Sequence, residues 1–85
     1  NPWPGAYTTT EEGLMLKMWE ARLTGIEVPE DGEPGLIIGE TDDGILVVAG
    51  DGVLEVLVVQ PASRGKMSAR SYAHGYGLKA GDRLI

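Results

Sequence analysis

The fold is decided by residues 36–61, which read LIIGETDDGILVVAGDGVLEVLVVQP. Three runs rich in β-branched and apolar residues, 36–38, 45–49 and 53–59, alternate with short segments rich in Asp and Gly. β-Branched residues favour strands, and Asp-Gly pairs favour the tight turns of hairpins. Pro61 ends the third run because proline has no N–H to donate to a continuing ladder. The stretch therefore predicts an antiparallel meander of three strands.

After the meander, the sequence predicts a loop, a short helix and a last strand. The loop covers residues 62–66, and the helix covers residues 69–74 with Ser68 as its N-cap. We expect Gly75 to end the helix in the left-handed conformation that glycine adopts without strain. Residues 83–85, Arg-Leu-Ile, return to a strand pattern.

Before the meander, residues 8–25 fit two patterns. As a helix, the segment begins after Thr10 as N-cap and ends at Gly25. As a strand, it alternates and then changes phase, which one extra residue at a β-bulge produces. The alternation is carried by Leu14, Leu16 and Met18 before the change and by Trp19, Ala21 and Leu23 after it. Periodicity leaves both interpretations open.

The chain has 85 residues, enough for the single domain 1–85 and no second one. Five or six short strands with one short helix favour a small OB-like Greek-key barrel, which is an all-β fold. Residues 1–5, NPWPG, predict an extended entry segment anchored by Trp3. The missing initiator Met before Asn1 and the apolar end at Ile85 predict that this domain belongs to a longer chain.

The sequence holds few groups for catalysis or metal binding. It has no cysteine, which excludes thiolate catalysis, disulfides and cysteine-based zinc sites and favours a cytoplasmic protein. His74 is the only histidine, and we interpret it as a helix-end residue satisfied locally. The longest apolar run, residues 45–49, is far shorter than the roughly 20 residues of a membrane helix. We therefore predict no catalytic residue, cofactor, metal or membrane contact in this domain.

Charge is divided unevenly along the chain. Residues 1–60 hold 12 of the 13 acids and two of the seven bases, whereas residues 61–85 hold five bases and one acid. The overall acidity excludes the strongly basic footprint of a dedicated nucleic-acid-binding protein. The basic end predicts an anion-facing patch, beside the alternative that its bases are ordinary solvated residues. The aromatic residues likewise either stack on nucleobases or fill the core.

Seven short motifs spread along the chain carry a family resemblance. They are NPWPGAYT (1–8), LKMW (16–19), AR (21–22), GDGVL (50–54), QPA (60–62), KMSA (66–69) and GDRL (81–84). As an ordered set, they resemble the C-terminal domain of the methionyl-tRNA formyltransferases. The resemblance implies an OB-like barrel appended to an N-terminal catalytic domain that holds 10-formyltetrahydrofolate, and it assigns residues 14–23 to a strand.

The resemblance also implies that the domain helps to hold initiator tRNA along its sugar-phosphate backbone. The loop after Gln-Pro-Ala is usually basic in the family, and here it contains Arg64 and Lys66, with Arg70 one helical turn beyond. These three residues, with Lys17 and Lys79, are the candidate nucleic-acid-binding residues. Because the first 60 residues are acidic, we expect weak tRNA binding by the domain alone. The alternatives are an accessory domain of a sugar-nucleotide or formylfolate formyltransferase or hydrolase, and a stand-alone protein-binding module.

Overall fold

The structure, a computed structural model, describes residues 6–9, 13, 15–30, 32–50, 52–62 and 64–84, with only the backbone of residues 6 and 7. The described residues form β1 (Ala6–Thr9), β2 (Met15–Leu23), β3 (Ile37–Glu40), β4 (Ile45–Ala49), β5 (Gly52–Pro61), β6 (Met67–Ser68) and α1 (Ala69–Tyr76). The roles predicted for Trp3 and Ile85 lie outside the described residues. No helix among the described residues is long and apolar enough to span a lipid bilayer.

The predicted meander is confirmed as β3, β4 and β5. Each strand pairs antiparallel with the next, and β5 ends at Pro61, as the missing N–H of proline predicts. The β3–β4 turn is closed by hydrogen bonds from Thr41 N to Gly44 O (2.8 Å) and from Gly44 N to Thr41 Oγ1 (2.9 Å). The side chain and the backbone of Thr41 thus provide hydrogen-bond partners for the polar backbone groups of the turn, as hydroxyl residues commonly do at such positions.

The strands form one curled antiparallel sheet with the order β1-β2-β5-β4-β3. Since β2 lies beside β5 while the meander continues from β5 to β3, the order β2-β5-β4-β3 is that of a Greek key. β4 pairs with the first part of β5, and β6 pairs with residues 58 and 59 beyond it, so β6 extends the sheet past the end of β4. This half-barrel confirms the predicted small, barrel-like all-β domain with one short helix.

The ambiguous segment before the meander is a strand, β2, with a local bulge at the predicted phase change. The predicted net extra residue is absent, because the second of two register shifts restores the first register. Its pairing with β5 shifts register directly after Met18 and again before Ala21. Leu16 and Met18 are buried before the bulge, and Ala21 packs against the core after it. The expectation that Leu23 joins the apolar face is wrong, because its side chain is 70% exposed where the strand leaves the sheet's core.

Helix α1 begins as predicted and ends later than predicted. The Ser68 hydroxyl accepts a hydrogen bond from the N–H of the third helical residue (3.1 Å), which confirms Ser68 as N-cap. The prediction that Gly75 ends the helix is wrong, because Gly77 adopts the left-handed conformation with φ of +75°. The two extra helical residues bring Tyr76 onto Tyr72, with ring centroids 4.3 Å apart. This i, i+4 stacking stabilises the helix beyond Gly75.

Residues 81–84 add to the β3 edge of the sheet. Ile37 N donates to Asp82 O (2.8 Å), and Leu84 N donates to Gly35 O (2.8 Å). Gly35 has φ of +92°, and a Cβ there would overlap the Leu84 carbonyl oxygen, so this close approach requires glycine. The Leu84 side chain enters the core between the sheet and α1. That core contains Leu16, Met18, Ile37, Ile45, Val47, Val56, Val59, Ala69, Tyr72, Ala73 and Leu84.

Candidate nucleic-acid interface

Two of the five predicted candidate bases contact the ring of Trp19 on β2, and a third, Arg64, is linked to this ring through its backbone carbonyl and Gln60. Trp19 falls in the register shift between Met18 and Glu20 and has no residue directly opposite on β5, so it is the unpaired residue of a local bulge that the second shift, before Ala21, compensates. A bulge re-aims the side chain of its extra residue relative to a regular strand. The Trp19 side chain is half-buried, which leaves part of the indole ring on the surface.

Gln60 on β5 holds the Trp19 ring and the following loop together. Trp19 Nε1 donates to Gln60 Oε1 (2.8 Å), and Gln60 Nε2 donates to the Arg64 carbonyl oxygen (2.7 Å). Gln60 also lies directly opposite Lys17 in the β2–β5 register. A single amide thus links the bulge on β2 to the loop that carries the basic residues.

Two lysines approach the Trp19 ring. Lys17 Nζ lies 4.1 Å from the ring centroid, and Lys66 Nζ lies 3.8 Å from it. Both distances fall well within the range of a cation–π interaction, in which the negative ring face attracts an ammonium group. We call Lys17, Trp19, Gln60, Arg64 and Lys66 the Trp19 cluster. It brings residues from β2, β5 and the loop after Pro61 to one surface.

The loop bases of the Trp19 cluster are exposed. Across the described part of the chain, neither Arg64 nor Lys66 forms an ion pair with a carboxylate. Their positive charge therefore faces solvent, with Lys17 close by. The two exposed loop cations, which have no carboxylate partner among the described residues, are able to bind phosphate or another anion.

The structure places Arg70 and Lys79 elsewhere, and both lie beside acids. Arg70 Nε is 4.0 Å from Glu40 Oε1, and Arg70 Nη1 donates to the Asp42 carbonyl oxygen (3.3 Å). His74 Nε2 lies 3.0 Å from Glu40 Oε2. We call Glu40, Arg70 and His74 the Glu40 cluster. The interpretation of His74 as a histidine satisfied by a neighbouring group agrees with this contact, although its partner lies on β3.

Lys79 is paired with Asp82 at the turn after α1. Lys79 Nζ lies 3.9 Å from Asp82 Oδ2, and the same oxygen accepts a hydrogen bond from Lys79 N (3.0 Å). The carboxylate therefore caps the turn and neutralises part of the lysine charge. Lys79 and Arg70 stay candidate nucleic-acid contacts, with less free positive charge than the bases of the Trp19 cluster.

A cleft of about 440 Å³ lies between the C-terminal end of α1 and the β3–β4 hairpin. Its floor is apolar, with Ile37, Ile45 and Leu78, and His74 with Glu40 lies at its side. Throughout the described ranges, no group of three or more His, Asp or Glu side chains could hold a metal ion. The cleft therefore offers apolar contact and one His–Glu pair.

The buried carboxylate of Glu55 is held by structural contacts. Its two oxygens accept hydrogen bonds from Arg22 Nε and Thr41 Oγ1, both 2.6 Å long, and its side chain is 7% exposed. The Thr41 hydroxyl and the Arg22 guanidinium lower the pKa of Glu55 below its ordinary value, against the opposing effect of burial. Glu55 thus stays ionised and links β2, β5 and the β3–β4 turn.

Sequence analysis did not identify Gln60 as part of the site, and it left Trp19 between core and surface. Two signals in the sequence point to them in retrospect. The phase change at Trp19 marks a bulge, and bulges re-aim side chains near functional sites. Gln60 directly precedes the proline that ends β5, and the basic loop begins after that proline.

Comparison with protein families gives one match over most of the chain. Residues 1–77 match the family described as "Formyl transferase, C-terminal domain". This range includes β1 to β6 and the whole of α1, and therefore all of the Trp19 cluster.

Curated proteins named methionyl-tRNA formyltransferase are similar to this chain. The protein of Halothermothrix orenii is 41% identical over 88 residues, which cover 99% of this chain and 28% of that protein. The protein of Symbiobacterium thermophilum is 44% identical over 86 residues, covering 99% and 26%. The protein of Listeria monocytogenes is 49% identical over 78 residues, covering 91% and 24%. The chain thus spans about a quarter of the length of these relatives.

Proposed function

Because the chain belongs to the formyl transferase C-terminal domain family, we propose that it is the tRNA-positioning domain of a methionyl-tRNA formyltransferase. The parent enzyme transfers a formyl group from 10-formyltetrahydrofolate to the amino group of initiator methionyl-tRNA in the cytoplasm. An N-terminal domain of the same parent chain binds the cofactor and carries the catalytic residues. Residues 1–85 contribute binding of the tRNA, and they have no catalytic role of their own.

The observation that carries the tRNA assignment is the Trp19 cluster. Lys17 on β2 and Lys66 in the loop after Pro61 contact the same ring, and Gln60 binds the backbone carbonyl of Arg64 in that loop. Phosphate contacts from Lys and Arg supply most of the affinity of proteins for nucleic acids and carry no base specificity. The cluster therefore contacts the sugar-phosphate backbone, and it orients the tRNA without selecting its sequence.

The binding of the isolated domain to tRNA is weak. Three phosphate contacts give a slope of log affinity against log salt of only about −2 to −3. The chain also has a net charge of −6, which repels a polyanion outside the cluster. In the parent enzyme, the catalytic domain binds the acceptor end, so the contact by this domain becomes intramolecular and gains from a high effective concentration.

The proposal is tested in the full-length enzyme with two triple variants that remove the same charge. One variant combines Lys17→Gln, Arg64→Gln and Lys66→Gln, and the control combines Arg70→Gln, Lys79→Gln and Arg83→Gln. We expect the first variant to raise the KM for tRNA by about tenfold, since three exposed charge contacts of about 0.5 kcal/mol each sum to about 1.4 kcal/mol. We also expect the slope of log affinity against log salt to become shallower by about 2–3 in this variant.

The control triple variant removes bases that each lie beside an acid. Arg70 faces Glu40, Lys79 faces Asp82, and Arg83 Nη2 lies 3.4 Å from Glu33 Oε2. We expect a KM change of less than about threefold, because neutralised surface pairs attract an anion weakly. Equal effects of the two variants would show that tRNA responds to total charge only. An unchanged KM and salt slope in the first variant would place the tRNA path on another surface.

A further inference from the structure

The Trp19 cluster contains an arrangement that the simple presence of basic residues does not explain. Lys17 and Lys66 each lie about 4 Å from the centroid of one indole ring, so their ammonium groups are separated by no more than about twice that distance. Two like charges at this separation repel each other, and two long lysine side chains in solvent would move apart. Both ammonium groups contact the same ring, which attracts each of them against this repulsion.

We propose that Trp19 is the positioning residue of the interface, whose ring holds the Lys17 and Lys66 ammonium groups ready to bind phosphates of one RNA backbone. This inference rests on the proposed function and goes beyond it, because it assigns a role to a residue that itself carries no charge. When RNA binds in this arrangement, its phosphates attract both lysines, and this attraction offsets the repulsion between the two ammonium groups. The ring contributes by keeping both lysines in place before the RNA arrives.

The position of the ring is fixed from two sides. The bulge between Met18 and Glu20 sets the direction of the Trp19 side chain. The hydrogen bond from Trp19 Nε1 to Gln60 Oε1 then fixes its rotation, and Gln60 Nε2 fixes the loop at Arg64. Lys66 lies two residues after Arg64, in the loop that follows β5, and its ammonium group contacts the ring. A platform whose orientation is set by backbone and hydrogen bond is preorganised for its ligand.

Preorganisation predicts a specific pattern of effects. A ring variant leaves both lysine charges in the protein, so the number of phosphates neutralised in the complex does not change. The salt slope therefore stays constant while the affinity falls, because the lysines must be ordered during binding. Removal of a lysine lowers the affinity for RNA and also makes the slope of log affinity against log salt shallower. These two signatures separate a residue that positions the charges from a residue that carries one.

The test compares Trp19→Leu with Trp19→Phe in the full-length enzyme. Both variants lose the hydrogen bond to Gln60, but only phenylalanine keeps an aromatic face for the lysines. We expect Trp19→Leu to raise the KM for tRNA about three- to tenfold, with an unchanged salt slope and an unchanged kcat. Trp19→Phe is expected to restore most of the affinity, since a phenyl ring also attracts cations.

The double variant Lys17→Gln with Lys66→Gln tells failure of this inference from failure of the proposed function. If the double variant raises the KM and lowers the slope while Trp19→Leu changes neither, the positioning role is wrong and the tRNA role stands. Equal losses for Trp19→Leu and Trp19→Phe also overturn the positioning role, because the aromatic face then has no effect. If the double variant leaves KM and slope unchanged, both the tRNA role of these lysines and the positioning role fall.

A measurement on the unmodified enzyme keeps the inference testable if Trp19→Leu does not fold. Protons held over an aromatic ring are shifted upfield by its ring current. In the full-length enzyme with labelled lysines, we expect upfield shifts for the Hε protons of Lys17 and Lys66 and unshifted values for Lys79. The absence of these upfield shifts would show that the lysines are not held by the ring in solution, and it would overturn the proposal.

Discussion

The two groups of bases on this domain differ in what holds them. In the Trp19 cluster, an uncharged aromatic ring contacts Lys17 and Lys66, and Lys66 forms no ion pair with a carboxylate of the described residues. In the Glu40 cluster, a carboxylate lies beside Arg70 and His74 and neutralises part of their charge. A ring orders a cation without cancelling it, whereas a carboxylate orders and cancels it together. The basic residues of one sequence thus divide into a group in contact with an aromatic ring and a group in contact with a carboxylate.

The loops that support the two clusters also differ. The Glu40 cluster lies next to the tight β3–β4 turn, where Gly44 packs against β5 so closely that a Cβ would overlap the Val56 carbonyl oxygen. The loop of the Trp19 cluster contains Gly65, at which a Cβ would meet no atom within 4 Å. The β3–β4 turn packs directly against the sheet, whereas the loop after Pro61 is open and is linked to the sheet by the hydrogen bond from Gln60. This difference predicts opposite tolerance to substitution.

The largest expected effect is on the tight turn. We expect Gly44→Ala to lower the free energy of unfolding by about 3 kcal/mol or more, because the clash is with backbone that cannot move aside. The matched substitution Gly65→Ala is expected to change it by less than about 0.5 kcal/mol. Hydrogen exchange of peptides from β4 and β5 in the full-length enzyme measures both. A similar loss of protection in the two variants would show that the loops do not differ as described.

The next effect concerns the buried carboxylate that braces the turn of the Glu40 cluster. Glu55→Gln removes the charge that Arg22 Nε and Thr41 Oγ1 contact, and we expect a loss of about 1–3 kcal/mol of stability. The control Glu20→Gln removes an exposed carboxylate on β2 and is expected to change stability by less than about 0.5 kcal/mol. Thermal unfolding at neutral pH distinguishes the two variants. Equal stability of both would show that the buried contacts contribute nothing net.

The same carboxylate predicts the direction of the acid response. Because the pKa of Glu55 is lowered in the folded state from the ordinary value of 4.5, its contribution is complete above about pH 4.5. It is lost as the pH falls through the lower folded pKa, since protonation then favours the unfolded state. In Glu55→Gln, this part of the acid dependence is absent. The difference in stability between wild type and variant therefore shrinks below pH 4.5, and a constant difference would contradict the assignment.

Most of the fold was predictable because its signals are local. The turns at 41–44 and 50–52 and the proline at 61 divide the meander without reference to any distant residue. Residues 15–23 were not predictable from periodicity, because a bulge combines two phases of a strand into a pattern that also fits a helix. The end of α1 was misplaced at Gly75 because stacking of Tyr76 on Tyr72 favours two more helical residues over a stop at the first available glycine.

The site was predictable in its residue types and not in its grouping. A count of bases along the sequence places Arg64, Lys66 and Arg70 together, since they are neighbours in the chain. The structure separates Arg70 because Glu40, 30 positions earlier, lies across from it on β3. It adds Lys17, which lies opposite Gln60 through the β2–β5 register. Pairings between distant strands decide which charges stay available, and no local pattern encodes them.

The smallest expected effect is the most direct test of the contrast between the clusters. Glu40→Gln removes the carboxylate that lies beside Arg70 and His74, and so it converts a neutralised group into one resembling the Trp19 cluster. We expect the KM for tRNA to fall about twofold at low salt, since one exposed charge contributes only a few tenths of a kcal/mol at a surface. The gain disappears near 0.5 M salt, where the Debye length is about 4 Å.

The control for this variant is Glu27→Gln, which makes the same change in total charge. Glu27 is exposed, and it forms no ion pair with the bases of the described ranges. If the KM falls in Glu40→Gln and not in Glu27→Gln, the release of Arg70 is local and a carboxylate partner is what keeps its cluster from binding RNA. Equal decreases would mean that tRNA responds to the net charge of −6 as a whole. The distinction between ring-held and carboxylate-held bases would then have no consequence for binding.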